Sequence, residues 1–388
     1  MRIIIVGAGM YVTGRNNSGT GTILASLLET SKTVDIEKIK IVSRSKAGTK
    51  DVAEAQKRIN KLLGTKAQLE YQALGKNGEA KFEKILAKES YDACIISTPD
   101  HLHFSYTKVA IEAGLHCLVV KPLTPTAKEN KELIRLQKKH GVYGAVEFHK
   151  RWDETNMYIQ RRIKENAFGK LLYAVVEYSQ KVSIPTETFR SWSGLTNIFQ
   201  YLGVHYVDLM YFLTDFTPDR VSAYGTSGIL HSKGIDTYDS VHVSLIWKNK
   251  KNPSEEFLVN YNTNWIDPEC TTAMSDQKYM LIGTAGRINC NQKNRGLEEV
   301  TSSDGVRSVN PYFSEYLPDD NGNKTFQGYG HKSIEAFVKD IDNLLKNKTT
   351  ISHLEKIRPT FTSSLISTLV LEAVNKSLEK NGKWLKIR

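Results

Sequence analysis

Apolar and polar positions follow two different rhythms along this chain. In the first part, short apolar runs (Ile3-Ile4-Ile5-Val6, Ile39-Lys40-Ile41-Val42, Ala93-Cys94-Ile95-Ile96, Cys117-Leu118-Val119-Val120 and Val142–Val146) are separated by longer stretches with helical spacing. Runs of this length, bounded by turn residues, read as buried strands. The stretch Glu79–Lys88 reads as an amphipathic helix that sends Phe82, Ile85 and Leu86 inward. Strand, helix, strand in repetition predicts a parallel sheet. From Leu171 the rhythm changes. Leu171–Val182, Val221–Gly225, Ser240–Trp247, Glu256–Tyr261 and Lys278–Ile282 show period-two stretches with polar turns and no intervening helices. That pattern predicts an antiparallel sheet. Helices are expected again from Tyr329 through Leu345 and from Arg358 to Glu379.

The stretch from Tyr91 to Thr126 carries the most information. Its first strand ends at Ser97-Thr98-Pro99, a helix from Phe104 stops at Gly114, and the second strand delivers Lys121-Pro122. Two strands of one βαβ unit are parallel, so Thr98-Pro99 and Lys121 are expected at the carboxyl edge of the sheet, where open α/β folds take their ligands. Upstream, the strand Arg2–Val6 feeds Gly7-Ala8-Gly9, the opening of a dinucleotide-binding fold. The first glycine makes the tight turn and the second lets a pyrophosphate approach the backbone. The third glycine of that fingerprint would fall at Val12. The polar run from Thr13 to Gly21 instead predicts an enlarged phosphate loop, with the helix starting near Thr20 and Arg15 in reach of a phosphate; an insertion without ligand contact is the alternative. The next strand ends at Ser43-Arg44-Ser45-Lys46. An NAD-selective fold has a carboxylate about here for the ribose 2′-hydroxyl. Ser43 replaces it, and Arg44 and Lys46 offer positive charge suited to a 2′-phosphate, so NADP is preferred and NAD is the alternative.

The segments STPDHLH, AGLH and KPLT resemble the Gfo/Idh/MocA oxidoreductases, relatives of glucose–fructose oxidoreductase and inositol dehydrogenase. The resemblance covers nearly the whole chain and includes LIGTAGRI at residues 281–288. It implies an α/β fold: an N-terminal Rossmann dinucleotide-binding domain over residues 1–148, then a C-terminal α+β domain over residues 149–388 with a large, mostly antiparallel open sheet. The last helix would close the fold, with packing back onto the Rossmann domain as the alternative. With the residues read above, it implies a cofactor set of Gly7, Gly9, Met10, Arg15, Ser43, Arg44, Lys46, Thr98, Pro99, His103 and Lys121. The implied substrate set is Lys121, Lys150, Arg151, Tyr201 and His205. Relatives commonly read Glu-Lys-Pro at the second strand end, whereas Val120 precedes Lys121 here.

The family's D-x-G-x-H-x-x-D segment corresponds to Tyr201, Gly203, His205 and Asp208, with Tyr201 in place of the first Asp. On a helix, Tyr201, His205 and Asp208 share one face. Glycine inside a helix costs about 1 kcal/mol relative to alanine; Gly203 therefore suggests something large against the backbone, and a nicotinamide ring would fit. The implied catalytic set is Lys121, which anchors and polarises the reacting oxygen, and His205, which shuttles the proton with a side chain matched to neutral pH. Tyr201 and Asp208 position. Outside this context, His205 would read as a structural histidine and Lys121 as a surface lysine.

Charge and composition change the picture only slightly. The formal charge of +11 reads first as a lysine-rich surface, second as preference for an anionic small molecule, and least as nucleic-acid binding, since no basic stripe interleaved with aromatics is present. Cys94, Cys117, Cys270 and Cys290 have no CxxC spacing and are expected to be reduced, as in a cytoplasmic protein. No metal site, membrane span or signal-peptide shape is read. The expectation is an NAD(P)-dependent dehydrogenase or reductase for a sugar, polyol or nucleotide-sugar, a homodimer or homotetramer through the C-terminal sheet. Two rivals are a non-catalytic regulator of the same fold and an NAD-dependent redox glycosidase.

Overall fold

A computed structural model describes residues 1–15 and 19–388; Asn16, Asn17 and Ser18, part of the expected enlarged loop, lie outside the described residues. The chain forms two compact units, Met1–Asp153 with Tyr312–Leu365, and Glu154–Pro311 with Ile366–Arg388.

In the first unit, β1 (Arg2–Val6), β2 (Lys38–Ser43), β3 (Leu69–Ala73), β4 (Ala93–Ile96), β5 (His116–Val120) and β6 (Gly144–Glu147) form one sheet in the order β3-β2-β1-β4-β5-β6. Every pairing is parallel. The strand order reverses between β1 and β4, which makes their carboxyl ends the switch point of a doubly wound sheet. The central strands are buried, β4 from end to end and β1 from Ile3 to Val6, as strands covered on both faces must be. The connecting helices are α1 (Met10–Thr13), α2 (Ile23–Thr30), α3 (Gly48–Leu63), α4 (Gly78–Leu86), α5 (His103–Glu112) and α6 (Ala127–His140). Phe82 and Ile85 of α4 are buried as expected.

Two expectations are corrected in this unit. The first helical turn begins directly after Gly9, not near Thr20. It is held by the buried Val12 and by Thr13, whose hydroxyl donates to the Ala8 and Gly9 carbonyls. Gly14 in the left-handed region ends it, and the helix resumes at Ile23. The second concerns the division of the chain. Tyr312–Leu365 was expected in the second domain, yet helix Tyr329–Leu345 places Ile334, Phe337, Val338 and Ile341 in one core with Leu24, Leu27 and Leu28 of α2. Burial of an apolar stripe against a distant partner decides membership here, and sequence distance does not.

The second unit opens with α7 (Glu154–Lys164) and β7 (Leu171–Lys181). A wide π turn, Phe199–Gly203, then runs into α8 (Val204–Leu213). There follow β8 (Phe216–Thr226), α9 (Ile229–Ser232), β9 (Ser240–Asn249), β10 (Glu256–Asp267), β11 (Ser275–Gly283) and β12 (Gly286–Asn291). The sheet order is β12-β11-β7-β10-β9-β8, with the short strand Leu385–Lys386 beside β8. It is antiparallel except for the parallel pair β7 and β10. The one-turn α9 is an addition to the helix-free run of strands expected there. Burial alternates along β9 and β10. The half-buried face carries cross-strand polar pairs: Ser244 Oγ donates to Asn260 Oδ1 at 2.8 Å, and Glu177 pairs with Lys278 at 2.7 Å. All four cysteines are free, with Cys94, Cys117 and Cys290 buried and Cys270 exposed. Among the described residues no helix is long and apolar enough to cross a membrane.

Candidate functional site

The carboxyl edge of the parallel sheet collects the chemistry of the first unit. Gly7, at φ +117°, donates its N–H to the Val42 carbonyl, and a Cβ on it would come within 2.1 Å of the Ser97 carbonyl oxygen. Only glycine fits where β1 and β4 release the chain side by side. Above Gly9 the space is open, with no heavy atom within 4 Å of a built Cβ. A buried hydroxyl at this edge, Thr98 Oγ1, has no hydrogen-bond partner among the described residues. A backbone cradle with room before it and an orphaned hydroxyl beside it fits a dinucleotide.

At the end of β2, Arg44 and Lys46 are exposed and Ser43 is half-buried. The Ser43 hydroxyl lies 2.7 Å from the Tyr71 hydroxyl, and Tyr71 also donates to the Ser45 carbonyl. Tyr71 thus staples the turn that carries the cations. Arg15 pairs with Asp51 at 3.5 Å, half-exposed, beyond the first turn of α1. Met10 begins that turn, and Pro99 precedes a short 3-10 turn. His103 is buried, and its ring nitrogens lie 2.7 Å from the Pro122 carbonyl and 2.8 Å from the Thr98 carbonyl. Both nitrogens face backbone carbonyls; the neutral ring donates to one of them and only the protonated ring could donate to both, so His103 ties the turn after β4 or the turn after β5 to its helix. Burial holds its pKa below the ordinary value, against Asp100 and the two carbonyls, which raise it.

Lys121 follows β5 directly. Burial pulls its ammonium down to about 7 from an ordinary 10.5, with Glu147 and Asp100 opposing the fall. Perturbation of this kind concentrates at functional sites. Glu147 is only 2 % exposed and accepts from Ser333 Oγ at 2.7 Å, while His149 Nδ1 lies 3.1 Å from each of its oxygens. The following turn, His149–Trp152, buries Lys150 and leaves Arg151 half-buried.

In the second unit, His205 and Asp208 are both 3 % exposed on α8. Tyr201 lies in the π turn, its ring 5.1 Å from Phe189 and 5.8 Å from both Trp192 and Trp265. The wide turn means that Tyr201 and His205 are not separated by one uninterrupted α-helical turn. The reason for Gly203 is also corrected. A Cβ there would sit 2.3 Å from the Phe199 ring, so the large group against this backbone is Phe199 itself. Behind α8, Tyr206 donates to Gln292, just after β12, at 2.6 Å, and Tyr279 of β11 donates to Asn156 of α7 at 2.9 Å, which ties α8 to the end of β12 and α7 to the sheet. A cavity of about 720 Å³ opens in this unit, lined among others by Asn197, Gln200, Thr237, Tyr238 and Asn375. Its amides are linked in a chain: Asn197 donates to Asn375 at 2.9 Å and Asn375 to Gln200 at 3.0 Å. No group of three or more metal-ligating side chains is gathered among the described residues.

Two family descriptions fit the chain. Residues 1–148 match the oxidoreductase family with NAD-binding Rossmann fold, and residues 157–289 match the Gfo/Idh/MocA C-terminal domain. The chain belongs to the Gfo/Idh/MocA family. One family relative, the scyllo-inositol 2-dehydrogenase (NADP(+)) IolW of Bacillus subtilis, is 28% identical over 166 residues, 42% of this chain and 45% of that protein. The UDP-N-acetylglucosamine 3-dehydrogenase of Acidithiobacillus ferrooxidans is 29% identical over 138 residues, 36% of this chain and 41% of that protein. The chain thus spans less than half the length of these curated relatives. Among solved structures, scyllo-inositol dehydrogenase from Lactobacillus casei with bound NAD(H) and scyllo-inositol superposes with a TM-score of 0.67 at 14% identity, over 100% of this chain and 99% of that one. That likeness speaks to the fold of this Gfo/Idh/MocA member.

Proposed function

We propose that the chain is an NAD(P)-dependent oxidoreductase that interconverts a secondary hydroxyl and a keto group on a sugar, polyol or nucleotide-sugar, with NADP preferred. The observation that carries this reading is the carboxyl edge of a six-stranded parallel sheet that presents the Gly7–Gly9 cradle together with Lys121, the residue directly after β5. Gly7, Gly9, Met10, Thr98 and Pro99 would hold the dinucleotide, with Ser43, Arg44 and Lys46 at its 2′-phosphate. The bound nicotinamide supplies the hydride acceptor or donor.

The chain's own residues do the rest. In its ammonium form Lys121 donates a hydrogen bond to the reacting oxygen and stabilises the charge that develops there. His205 takes the hydroxyl proton on oxidation and returns it on reduction. Tyr201 and Asp208 position, and Lys150 and Arg151 contribute to substrate binding. The amide- and hydroxyl-lined cavity supports a polyhydroxylated substrate, whose many donors and acceptors need such partners. A homo-oligomer through the β7–β12 sheet would suit its broad half-buried face. Names of relatives support the substrate class: scyllo-inositol and UDP-N-acetylglucosamine dehydrogenases are among them.

Fluorescence titration with NADPH and NADH, followed by turnover on a panel of inositols, sugars and nucleotide-sugars, tests the reading. Tighter NADPH binding, weakened in Arg44→Ala, and turnover abolished in Lys121→Met and His205→Ala are expected. Binding without any turnover would favour the regulator. Cofactor that stays bound through purification and is never consumed would favour the redox glycosidase.

A further inference from the structure

Glu147 was not among the residues the sequence pointed to, yet it occupies a demanding position. It is the last residue of β6, and its register partner on β5 is Val120, the residue immediately before Lys121. Neighbouring strands run about 4.8 Å apart, so the Glu147 backbone lies across from the point where Lys121 leaves the sheet. A carboxylate buried to this degree is costly unless it is hydrogen-bonded and faces a positive group. Ser333, on helix Tyr329–Leu345, supplies a neutral donor at 2.7 Å, and His149 carries charge only when protonated. These two fix where the carboxylate sits without supplying a permanent countercharge.

We propose that Glu147 is the positioning residue for Lys121: a buried carboxylate, delivered from the adjacent strand and fixed by Ser333 and His149, that keeps the Lys121 ammonium charged at the sheet edge. The electrostatics agree, since the Glu147 charge opposes the effect of burial on Lys121 and raises the pKa of the Tyr11 hydroxyl on α1, which burial also raises. Titratable groups facing Lys121 in this unit include Glu147, Asp100 on the turn after β4 and His103 on α5. Those facing Glu147 include His149 and Tyr11, with Tyr329 beside Tyr11. Asp100 alone is a weaker holder, because one of its oxygens accepts the His101 N–H at 2.9 Å. Without Glu147 the lysine would lose its proton at a lower pH and stop presenting a positive charge to a substrate oxygen within the neutral range. The role in turnover rests on the function proposed above, but the ionic link itself does not.

The test follows the Lys121 side chain directly, by NMR of protein labelled with lysine carrying ¹³C at Cε, the signal being assigned by its loss in Lys121→Met. The wild type should titrate near 7. In Glu147→Gln the midpoint should fall by about 1, the scale of a charge removed at close range. Ser333→Ala, which keeps the charge and removes one hydrogen bond, should move it far less. An unmoved Lys121 midpoint in Glu147→Gln overturns the proposal. Should that variant not fold, the Glu147 carboxyl ¹³C signal of the wild type must respond with the Lys121 midpoint and lose that response in Lys121→Met; absence of the shared midpoint overturns it equally. No substrate is needed, so failure of the oxidoreductase reading leaves this result intact. Where turnover is found, the kcat profile of Glu147→Gln should lose its alkaline side at lower pH, with little change in the KM for NADPH.

Discussion

The two sheets of this molecule solve the same problem in opposite ways. The six-stranded sheet is parallel, and its central strands are buried, β4 from end to end and β1 from Ile3 to Val6. No side chain in the middle of such a strand can meet a ligand, so polar chemistry is pushed to the strand ends, where Gly7, Thr98, Lys121 and Glu147 lie. The seven-stranded sheet alternates buried and half-buried positions along β9 and β10. One of its faces is covered by α8 and its aromatic neighbours, and candidate chemistry there comes from the covering helix. Edge chemistry depends on backbone geometry; helix chemistry depends on packing.

Substitutions that strike one logic and spare the other sharpen this contrast. The largest effect is expected from Phe199→Ala, which empties the space against Gly203 and should destabilise the protein by about 3–5 kcal/mol in urea denaturation. Equal stability would show that the π turn does not depend on that ring. Lys121→Met comes next, with kcat lower by about 10²–10³-fold if the lysine stabilises the reacting oxygen. It also carries a pH signature. Because the folded-state pKa of Lys121 is depressed to about 7 from 10.5, the unfolded chain binds an extra proton between those values. The lysine's contribution to stability therefore rises with pH across that window and is least favourable below it. Lys121→Met should flatten that part of a stability-versus-pH curve.

Gly7→Ala and Gly9→Ala form a matched pair. The first places a Cβ 2.1 Å from Ser97 O at a positive φ, and should destabilise by about 1–3 kcal/mol. The second meets nothing within 4 Å and should melt like the wild type while binding nucleotide more weakly. Thermal denaturation with a paired NADPH titration separates them. Arg44→Ala should weaken NADPH about tenfold and NADH little, in line with one charge-assisted hydrogen bond. The smallest effect is expected from Lys278→Ala, which breaks a half-exposed pair with Glu177 and should change stability by less than about 1 kcal/mol.

Parts of this arrangement could be read from residue patterns alone. The βαβ unit around Asp100 was legible because local signals agree: a four-residue apolar run, Pro99 after it, Gly114 at the helix end and a second run to Val120. The structure pairs these strands in parallel register, Ala93 with His116 through Ile96 with Val119. The strands of the second sheet were legible for the same reason, though not the parallel pairing of β7 with β10, which joins residues about 85 positions apart. What escaped was set by partners distant in sequence. Gly203 suggested a bulky neighbour correctly, but nothing local identified it as Phe199. Tyr71, Ser333 and Glu147 acquire their roles only when separate segments meet. Helix Tyr329–Leu345 shows a clear apolar stripe but carries no mark of which core it enters.

That helix has a consequence for how the protein is made. Leu24, Leu27 and Leu28 of α2 emerge from the ribosome early, whereas Ile334 and Phe337, which share their core, follow about 300 residues later. At translation speeds of about 5–20 residues per second, the gap lasts on the order of tens of seconds. Throughout that interval the nascent chain carries an apolar surface with its natural cover still unsynthesised, which makes it a natural client for chaperones.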